Sequence, residues 1–504
     1  MLELFELPLN HPVYEKRETS NLFYDRWSVM LNGRPVRVRC CRESAFPINQ
    51  PWPGYQRPGD QTELAGMVNF AADEPVKVTV AGDFAADKVV IRPLAHQITP
   101  VAAGDQKVEF TLNEPGYYVL ELGSSHQVIY FFYNAPATAP DPSSVRWYFG
   151  PGIHFPGEIR LNSGDSIYID PAALVYGWLS GNGVQNIRVF GGGTLHGGMA
   201  ARFLTSFYEN LQCSTIKLYN SSNIHISDII VQDSPCWTIS FFGCSDIRID
   251  RIKIVGQWRY NTDGIDLCNT DHVEIVDSFI RCFDDGIVLK GVDHACPTTI
   301  PWTLGHPIND ITVRNCIVWC GWGRTLEIGI ETATSEYARI LFENCDLIHN
   351  SAVCLDIQNG NDGDIHDVIF RNIRIEYQAD TLPEVRQTYE GQIYRRGPYY
   401  QFKDEPFDET KEWVGVPKLI FIDNHKFGYP GKFGSTHDIL FENISVTAEA
   451  GVPDKLPVRI ANLDDKAVCR NITLRNLTCN GRQLAGPDDV DYDTEGRVEN
   501  VVWE

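Results

Sequence analysis

Short runs of alternating hydrophobic and polar residues follow one another along the whole chain, separated by Gly, Asp, Asn and Pro. Alternation with a period of two is typical of β-strands that bury one face. Before residue 140 the clearest runs are 76–80, 107–112 and 117–122. Their spacing predicts a β-sandwich over residues 1–140, and the Pro/Ala-rich stretch 134–142 is a plausible linker.

From about residue 143 the same kind of strand recurs as a repeat of about 21 to 26 residues. Copies of the repeat begin near residues 223, 246, 272, 310, 338, 366, 437 and 470. A fixed period built from strands alone is the signature of a solenoid, and this one is too short for a propeller blade. The prediction is an all-β chain with a right-handed parallel β-helix over residues 143–504.

One segment, residues 378–436, interrupts the repeat and is rich in aromatic and charged residues. Long excursions from a rigid scaffold are often binding loops. A packing contact or a homo-oligomer contact fits the composition equally well. We therefore predict a long loop insertion over 378–436, with its role open.

Composition narrows the partners and the compartment. A net charge of −23 repels nucleic acid and anionic membranes, and no run of about 18 apolar residues is present, so neither partner is expected. The first residues lack a secretory pattern, which favours a cytoplasmic location, or secretion if a signal has been removed. Fourteen cysteines occur without a CxxC pair, ten of them from Cys213 to Cys354, and we expect reduced, buried thiols.

Two neighbouring repeats carry unusual acidic clusters, Asn261-Thr-Asp-Gly-Ile-Asp-Leu267 and Cys282-Phe-Asp-Asp-Gly-Ile-Val-Leu-Lys290. Asp263 and Asp284 are 21 residues apart, about one coil, so the carboxyls are expected to stack. Crowded carboxyls raise at least one pKa, which leaves one acid protonated and another ionised. A single Asp in a turn is usually structural, but this pairing favours glycosidase chemistry.

These motifs resemble the polygalacturonases, pectinase-type glycoside hydrolases on a parallel β-helix. The resemblance runs from roughly 148 to 375, through Tyr148-Phe-Gly-Pro-Gly-Ile-His154, Asp233-Ser-Pro-Cys-Trp-Thr-Ile239 and the two acidic motifs. It implies an inverting hydrolase without cofactor or metal, in which Asp284 is the general acid and Asp263 and Asp285 activate water. Acid and base carboxyls of inverting enzymes lie about 6.5–9.5 Å apart. Asp266 and Lys290 are expected as neighbours on the outer strand face and are substrate-binding candidates.

Departures from the family pattern bear on the substrate. In Gly321-Trp-Gly-Arg-Thr-Leu-Glu-Ile-Gly-Ile-Glu331, Trp322 replaces the family's histidine, and Asp356-Ile-Gln358 stands where the family holds galacturonate with Arg-Ile-Lys. Asp356 repels a carboxylate, whereas Trp322 offers an apolar face to a sugar ring. The segment 251–253 does contain Arg-Ile-Lys, but it precedes the acidic coils and is interpreted as an ordinary surface strand. Further substrate-binding candidates are Arg324, Glu331, Asp356 and Gln358, and Arg395 with Arg396 offers another site for a substrate charge.

The sequence therefore predicts hydrolysis of a glycosidic bond in an oligosaccharide or polysaccharide, with a neutral glycoside favoured over polygalacturonate. A dextranase- or isopullulanase-like activity is one alternative, because that group also joins an N-terminal β-sandwich to a β-helix with three aspartates. A β-helix lyase or epimerase acting on uronates would need a base beside a neutralising cation. A glycan-binding β-helix without turnover is the third alternative.

Overall fold

The computed structural model describes residues 1–8, 22–44, 62–200, 214–259, 261–292, 305–378, 387–389, 392–394, 416–425, 434–463 and 466–504. Almost all regular structure in these ranges is β-strand. Single turns of 3₁₀-helix lie at Ala86–Lys88, Leu94–His96, Pro142–Ser144, Gly197–Met199 and Pro487–Asp489.

The N-terminal part folds as two facing sheets. One contains the strands Leu2–Leu4, Arg39–Ser44, Thr62–Ala72, Val89–Arg92, Gly116–Leu122 and Val128–Asn134. The other contains Trp27–Leu31, Arg34–Val36, Val76–Gly82, Val101–Ala102 and Lys107–Leu112. The alternate side chains of both sheets, among them Val29, Phe70, Val78 and Phe131, form one buried core between them. This is the predicted β-sandwich.

The rest of the chain winds into the predicted right-handed parallel β-helix, whose coils hydrogen-bond to their neighbours in three ladders. The first ladder contains Gly152–Arg160, Ala173–Asn182, Ile216–Tyr219, Ile239–Phe242, Ile265–Cys268, Ile287–Gly291, Arg324–Thr332, Val353–Asn359, Lys418–Asn424, Pro457–Asn462 and Asp491–Gly496. The second contains Trp147–Phe149, Ser166–Ile169, Gln185–Phe190, Ser222–Ser227, Ser245–Asp250, Asp271–Val276, Ile308–Arg314, Glu336–Glu343, Asp364–Arg371, Ser435–Ala448, Val468–Cys479 and Val498–Trp503. The third contains Thr194–His196, Ile230–Gln232, Lys253–Val255, Phe279–Cys282, Ile317–Cys320, Asp346–His349 and Arg374–Tyr377. Outside the ladders, Arg482–Gln483 pairs antiparallel with the preceding strand, and Gln387–Tyr389 pairs with Gln392–Tyr394.

Hydrophobic residues stack from coil to coil inside the β-helix. Ile224, Ile247, Val273, Ile311 and Ile340 form one such column, in parallel register and buried. Because β-branched and aliphatic side chains pack well on a pleated surface, the inward half of each alternating run fills this core. The twelve described cysteines are also buried, which confirms the expected burial, and none of them forms a disulfide.

The N-terminal sandwich packs against the third ladder. The outer face of its larger sheet, with Met67, Tyr130 and Phe132, meets outward-facing Phe279 and Trp319 of the β-helix in a shared apolar cluster. The predicted division at residues 140 and 143 remains a prediction, and regular strands end at Asn134 and resume at Trp147. The larger sheet thus covers the outer face of the third ladder, whose strands lead into the turns before the first ladder.

Two sequence-based interpretations differ from the structure. Within the predicted insertion 378–436, Lys418–Asn424 is a regular strand of the first ladder, paired in parallel with Val353–Asn359. Lys253 does not lie on a surface strand, because the sandwich covers its side chain completely and its Nζ donates to Asn134 Oδ1 (2.7 Å). In the described part of the chain, no helix is long and apolar enough to cross a membrane.

Candidate active site

The acidic motifs meet where the third ladder turns into the first. Asp263 lies two residues before Ile265–Cys268, and Asp285, which follows Asp284, lies two residues before Ile287–Gly291 one coil later. Ile265 pairs with Ile287, and the Gly264 N–H donates to the Asp285 carbonyl oxygen (2.8 Å). One coil here is therefore 22 residues rather than 21, and Asp263 stacks on Asp285 instead of Asp284.

Lys290 lies at the centre of this cluster. Its Nζ is 2.9 Å from Asp263 Oδ2, 3.0 Å from Asp266 Oδ1 and 3.6 Å from Asp285 Oδ2. It also lies 4.2 Å from the ring centroid of Trp237. Burial disfavours the charge of Lys290, but the carboxylates outweigh burial and hold its pKa well above the usual value. We call Asp263, Asp266, Asp284, Asp285 and Lys290 the acidic cluster.

Asp284 and Asp285 differ in charge although they are adjacent in sequence and both are 5% exposed. Burial, reinforced by the carboxylates of Asp285 and Asp263, raises the pKa of Asp284 well above its usual value. Burial also acts on Asp285, but Arg324 and Lys290 outweigh it and lower the pKa of Asp285. The two pKa values are thus displaced in opposite directions, so there is a pH range in which Asp284 carries a proton while Asp285 is ionised.

The lower coil adds two more carboxyls. Burial raises the pKa of Asp263 to about 6, against the opposing charge of Lys290. Burial likewise raises the pKa of Asp266 well above its usual value. Because a protonated Asp266 can donate to Asp263, Lys290 and Asp266 together fix the orientation of the Asp263 carboxyl.

Arg324 extends the cluster into the next coils. Its backbone N–H donates to Asp285 Oδ1 (3.1 Å), and its Nη1 lies 3.4 Å from the same oxygen. Its Nε is 3.8 Å from Glu327 Oε1 and 3.6 Å from Asp356 Oδ2. Gln358 Nε2 donates to Asp356 Oδ2 (2.6 Å). The guanidinium of Arg324 is thus surrounded by three protein carboxyls.

The remaining candidates lie around this core. The ring of Trp322 stacks on Phe283, with 5.4 Å between centroids and 2° between planes, so one of its two faces is covered. The half-buried Glu331 is near enough to contribute to the raised pKa of Lys290. Arg395 and Arg396 lie outside the described residues. All ten candidates in the described part lie on four consecutive coils, and their roles remain predictions.

Two participants were not singled out in the sequence. Glu327 is fully buried with a pKa well above its usual value, and it can donate a hydrogen bond to Asp285. In the 321–331 motif, Glu327 directly precedes the inward-facing Ile328, so the alternation of the strand predicts that Glu327 lies on the outer face with the other candidates. Asn261 donates from Nδ2 to Asp284 Oδ2 (3.4 Å). Among the described residues, no group of His, Cys, Asp and Glu has an arrangement that could hold a metal ion.

Parts of the chain are similar to known proteins. Residues 151–391 match the family model described as Glycosyl hydrolases family 28. The chain is 28% identical over 168 residues to an exopolygalacturonase of Oenothera organensis (32% of this chain, 42% of that protein). It is 23% identical over 312 residues to polygalacturonase-2 of Solanum lycopersicum (59% and 61%) and 25% identical over 353 residues to exopolygalacturonase B of Aspergillus niger (64% and 67%).

Residues 151–391, just under half of the chain, therefore resemble a polygalacturonase-type protein of family 28, which confirms the resemblance seen in the motifs. The chain spans less than two thirds of the length of the Oenothera and Solanum relatives. Among solved structures, Dex49A from Penicillium minioluteum resembles the chain with a TM-score of 0.65 at 13% identity. That likeness covers 99% of this chain and 96% of the other, so the two proteins share a fold along almost their whole length.

Proposed function

We propose that the protein is an inverting glycoside hydrolase that cleaves a neutral glycoside in an oligosaccharide or polysaccharide. The observation that carries the proposal is the opposite displacement of two adjacent carboxyl pKa values, raised for Asp284 and lowered for Asp285. Inverting and retaining glycoside hydrolases alike need one protonated carboxyl and one carboxylate at the same bond, and inversion is proposed here from the resemblance of the acidic motifs to the polygalacturonases. The match to Glycosyl hydrolases family 28 supports the same reaction class.

In this mechanism Asp284 gives its proton to the leaving oxygen as the glycosidic C–O bond breaks. Asp285, with Asp263, orients a water molecule and takes its proton as the water oxygen bonds to the anomeric carbon. Lys290 holds both of these carboxyls and keeps Asp285 ionised. The separation between the acid and base carboxyls remains a prediction of the inverting assignment.

The charges around Arg324 support a neutral substrate. Its guanidinium lies within 4 Å of carboxyl oxygens of Asp285, Glu327 and Asp356, and the carboxylate of Asp285, whose pKa is lowered, offsets its positive charge before a ligand arrives. Asp356 is completely buried behind it, and we infer that Asp356 acts by holding Arg324 rather than by touching a sugar. A substrate carboxylate at this position would add to an existing excess of acid groups.

The relatives favour an acidic substrate instead of a neutral one. Those of Oenothera, Solanum and Aspergillus are polygalacturonases or exopolygalacturonases, which points to galacturonan.

Lys290 argues against the uronate lyase alternative within this cluster, because an ammonium with a raised pKa cannot abstract a proton.

A matched pair of substrates distinguishes a preference for a neutral glycoside from a preference for galacturonan. The rates on an α-1,4-oligogalacturonide and on its carboxyl-reduced galactose counterpart, within a wider panel of neutral oligosaccharides, are compared by reducing-end release. The proposal predicts faster cleavage of a neutral substrate, with the product appearing first as the inverted anomer by proton NMR. Asp356→Asn removes one acid group beside Arg324 and should raise the relative rate on the oligogalacturonide. Preference of the wild-type protein for the oligogalacturonide contradicts the neutral assignment, and retention of configuration contradicts inversion.

A further inference from the structure

A buried carboxylate of the N-terminal sandwich reaches into the β-helix next to the acidic cluster. Glu43 has no exposed surface, and its Oε1 accepts from the Gly256 N–H (2.8 Å) while its Oε2 accepts from the Gln257 N–H (3.2 Å). Tyr130 of the sandwich donates to Glu43 Oε1 (3.1 Å), and Arg281 Nε lies 3.6 Å from Oε2. Two backbone donors of one turn are thus satisfied by a residue more than 200 positions away in sequence.

That turn has a shape which its own sequence does not fully stabilise. Gly256 has φ +73, and a Cβ there would lie 2.9 Å from Gln232 Cγ, so the position requires glycine. The next side chain, Gln257, accepts from the Ser234 N–H (3.2 Å) and donates to the Val255 carbonyl (3.0 Å). Because glycine adopts many conformations, the two hydrogen bonds to Glu43 select one of them.

The turn leads directly to the proposed general acid. Trp258 Nε1 donates to Asp233 Oδ1 (2.7 Å), and the Arg259 carbonyl accepts from Thr262 Oγ1 (2.7 Å). Asn261, one residue before Thr262, donates to Asp284 Oδ2 (3.4 Å). The Thr262 carbonyl then accepts from the Asp284 N–H (3.4 Å). Hydrogen bonds therefore connect the turn both to the Asp284 carboxyl and to its backbone.

We propose that Glu43 is a positioning residue for the reaction, through which the N-terminal sandwich fixes residues 256–259. Through the hydrogen bond between Arg259 and Thr262 it also fixes residues 261–262 and with them the Asp284 carboxyl. Glu43 touches neither substrate nor the reacting atoms, and it acts through the hydrogen bonds of Gly256 and Gln257. This inference rests on the proposed hydrolytic function for its kinetic consequence. Its structural part, the control of the turn by Glu43, stands on the contacts alone.

The test compares Glu43→Gln with Glu121→Gln in the full-length protein. Glu121 is a matched control, because it is also a buried sandwich carboxylate that contacts the β-helix, through His349, and accepts from Arg92 Nε (2.8 Å). Amide hydrogen exchange of peptides covering 254–263 is measured for both variants and wild type. In parallel, kcat, KM and the pH dependence of kcat are measured on whichever panel oligosaccharide the wild type cleaves fastest.

For Glu43→Gln we expect exchange in 254–263 to quicken and kcat to fall on the order of 10- to 100-fold, with a smaller change in KM. The alkaline limb of the pH dependence of kcat should also move, because the hydrogen bond from Asn261 to the Asp284 carboxyl is no longer held in place. Glu121→Gln should leave exchange in 254–263 and the pH profile unchanged, even if it lowers the melting temperature as much as Glu43→Gln does. If Glu43→Gln does not fold, Tyr130→Phe removes one hydrogen bond to Glu43 and should give a smaller change in the same direction.

The possible outcomes distinguish the positioning role of Glu43 from the proposed hydrolytic function. Unchanged exchange in 254–263 for Glu43→Gln, or an equal change in Glu121→Gln, overturns the positioning role. Faster exchange with normal kcat overturns the transmission to Asp284. No turnover by the wild type on any panel sugar contradicts the proposed function, and the exchange data then still decide whether Glu43 controls the turn.

Discussion

The Nζ of Lys290 lies 2.9 Å from Oδ2 of Asp263, and this contact joins two consecutive coils of the β-helix. A buried ammonium shared among carboxyls keeps some of them ionised where burial alone would protonate them. The charge state of the acidic cluster therefore depends on Lys290 together with Arg324, which also lowers the pKa of Asp285, and several outcomes can be predicted from it.

Lys290→Met should move the pH dependence of catalysis. Without the cation, the pKa values of Asp263 and Asp285 rise, so the base ionises only at higher pH and the acidic limb of kcat shifts upward by about one unit or more. At neutral pH kcat should fall on the order of 100-fold. The check is kcat measured from pH 4 to about 9, with Lys217→Met on an earlier strand of the same ladder as the control. An unmoved acidic limb in Lys290→Met would show that Lys290 does not set these pKa values.

Gly323→Ala tests how closely Asp285 must be placed. An added Cβ would lie 2.5 Å from Asp285 Oδ1 and 2.6 Å from its backbone nitrogen, so Asp285 must shift. A displaced base should lower kcat on the order of 10- to 100-fold. In the same turn, Gly321→Ala places its Cβ no closer than 3.3 Å, to the Cys282 carbonyl oxygen, and should keep most activity. Equal rates for the two alanine variants would contradict the placement of Asp285.

Lys253 should make the stability of the protein depend on pH. Burial beneath the sandwich lowers the pKa of Lys253 to about 7, whereas an unfolded lysine titrates near about 10.4. Between these values the unfolded chain binds the extra proton, so the free energy of unfolding rises with pH. Relative to Lys253→Met, the wild type should gain about 3 kcal/mol between about pH 7 and 9.5 in denaturant titrations. A difference between the two proteins that does not vary with pH would show that Lys253 stays protonated in the native state.

The alternation and period of the sequence were sufficient to predict the strands, the solenoid and the stacking of the two acidic motifs. They could not give the register, because the distance from Asp263 to its partner changes by one residue with the exact length of the turn. Contacts between distant segments could not be predicted from the sequence either. Nothing near Lys253 indicates that Asn134 contacts it, and nothing near Gly256 indicates that its N–H donates to Glu43. The strand Lys418–Asn424 was missed because the aromatic and charged residues around it obscured its short alternating pattern.

The most direct test of the account is sugar release from a panel of neutral and uronate oligosaccharides by wild type, Asp284→Asn and Asp277→Asn. Asp277 lies between the two acidic motifs on an exposed turn at φ +52, a conformation that asparagine tolerates, so Asp277→Asn is the control for the same chemical change. The account predicts release of a neutral sugar by wild type and Asp277→Asn, and a loss of at least about 100-fold in kcat for Asp284→Asn. Release that survives Asp284→Asn at the wild-type rate, or binding without any release by the wild type, would contradict it.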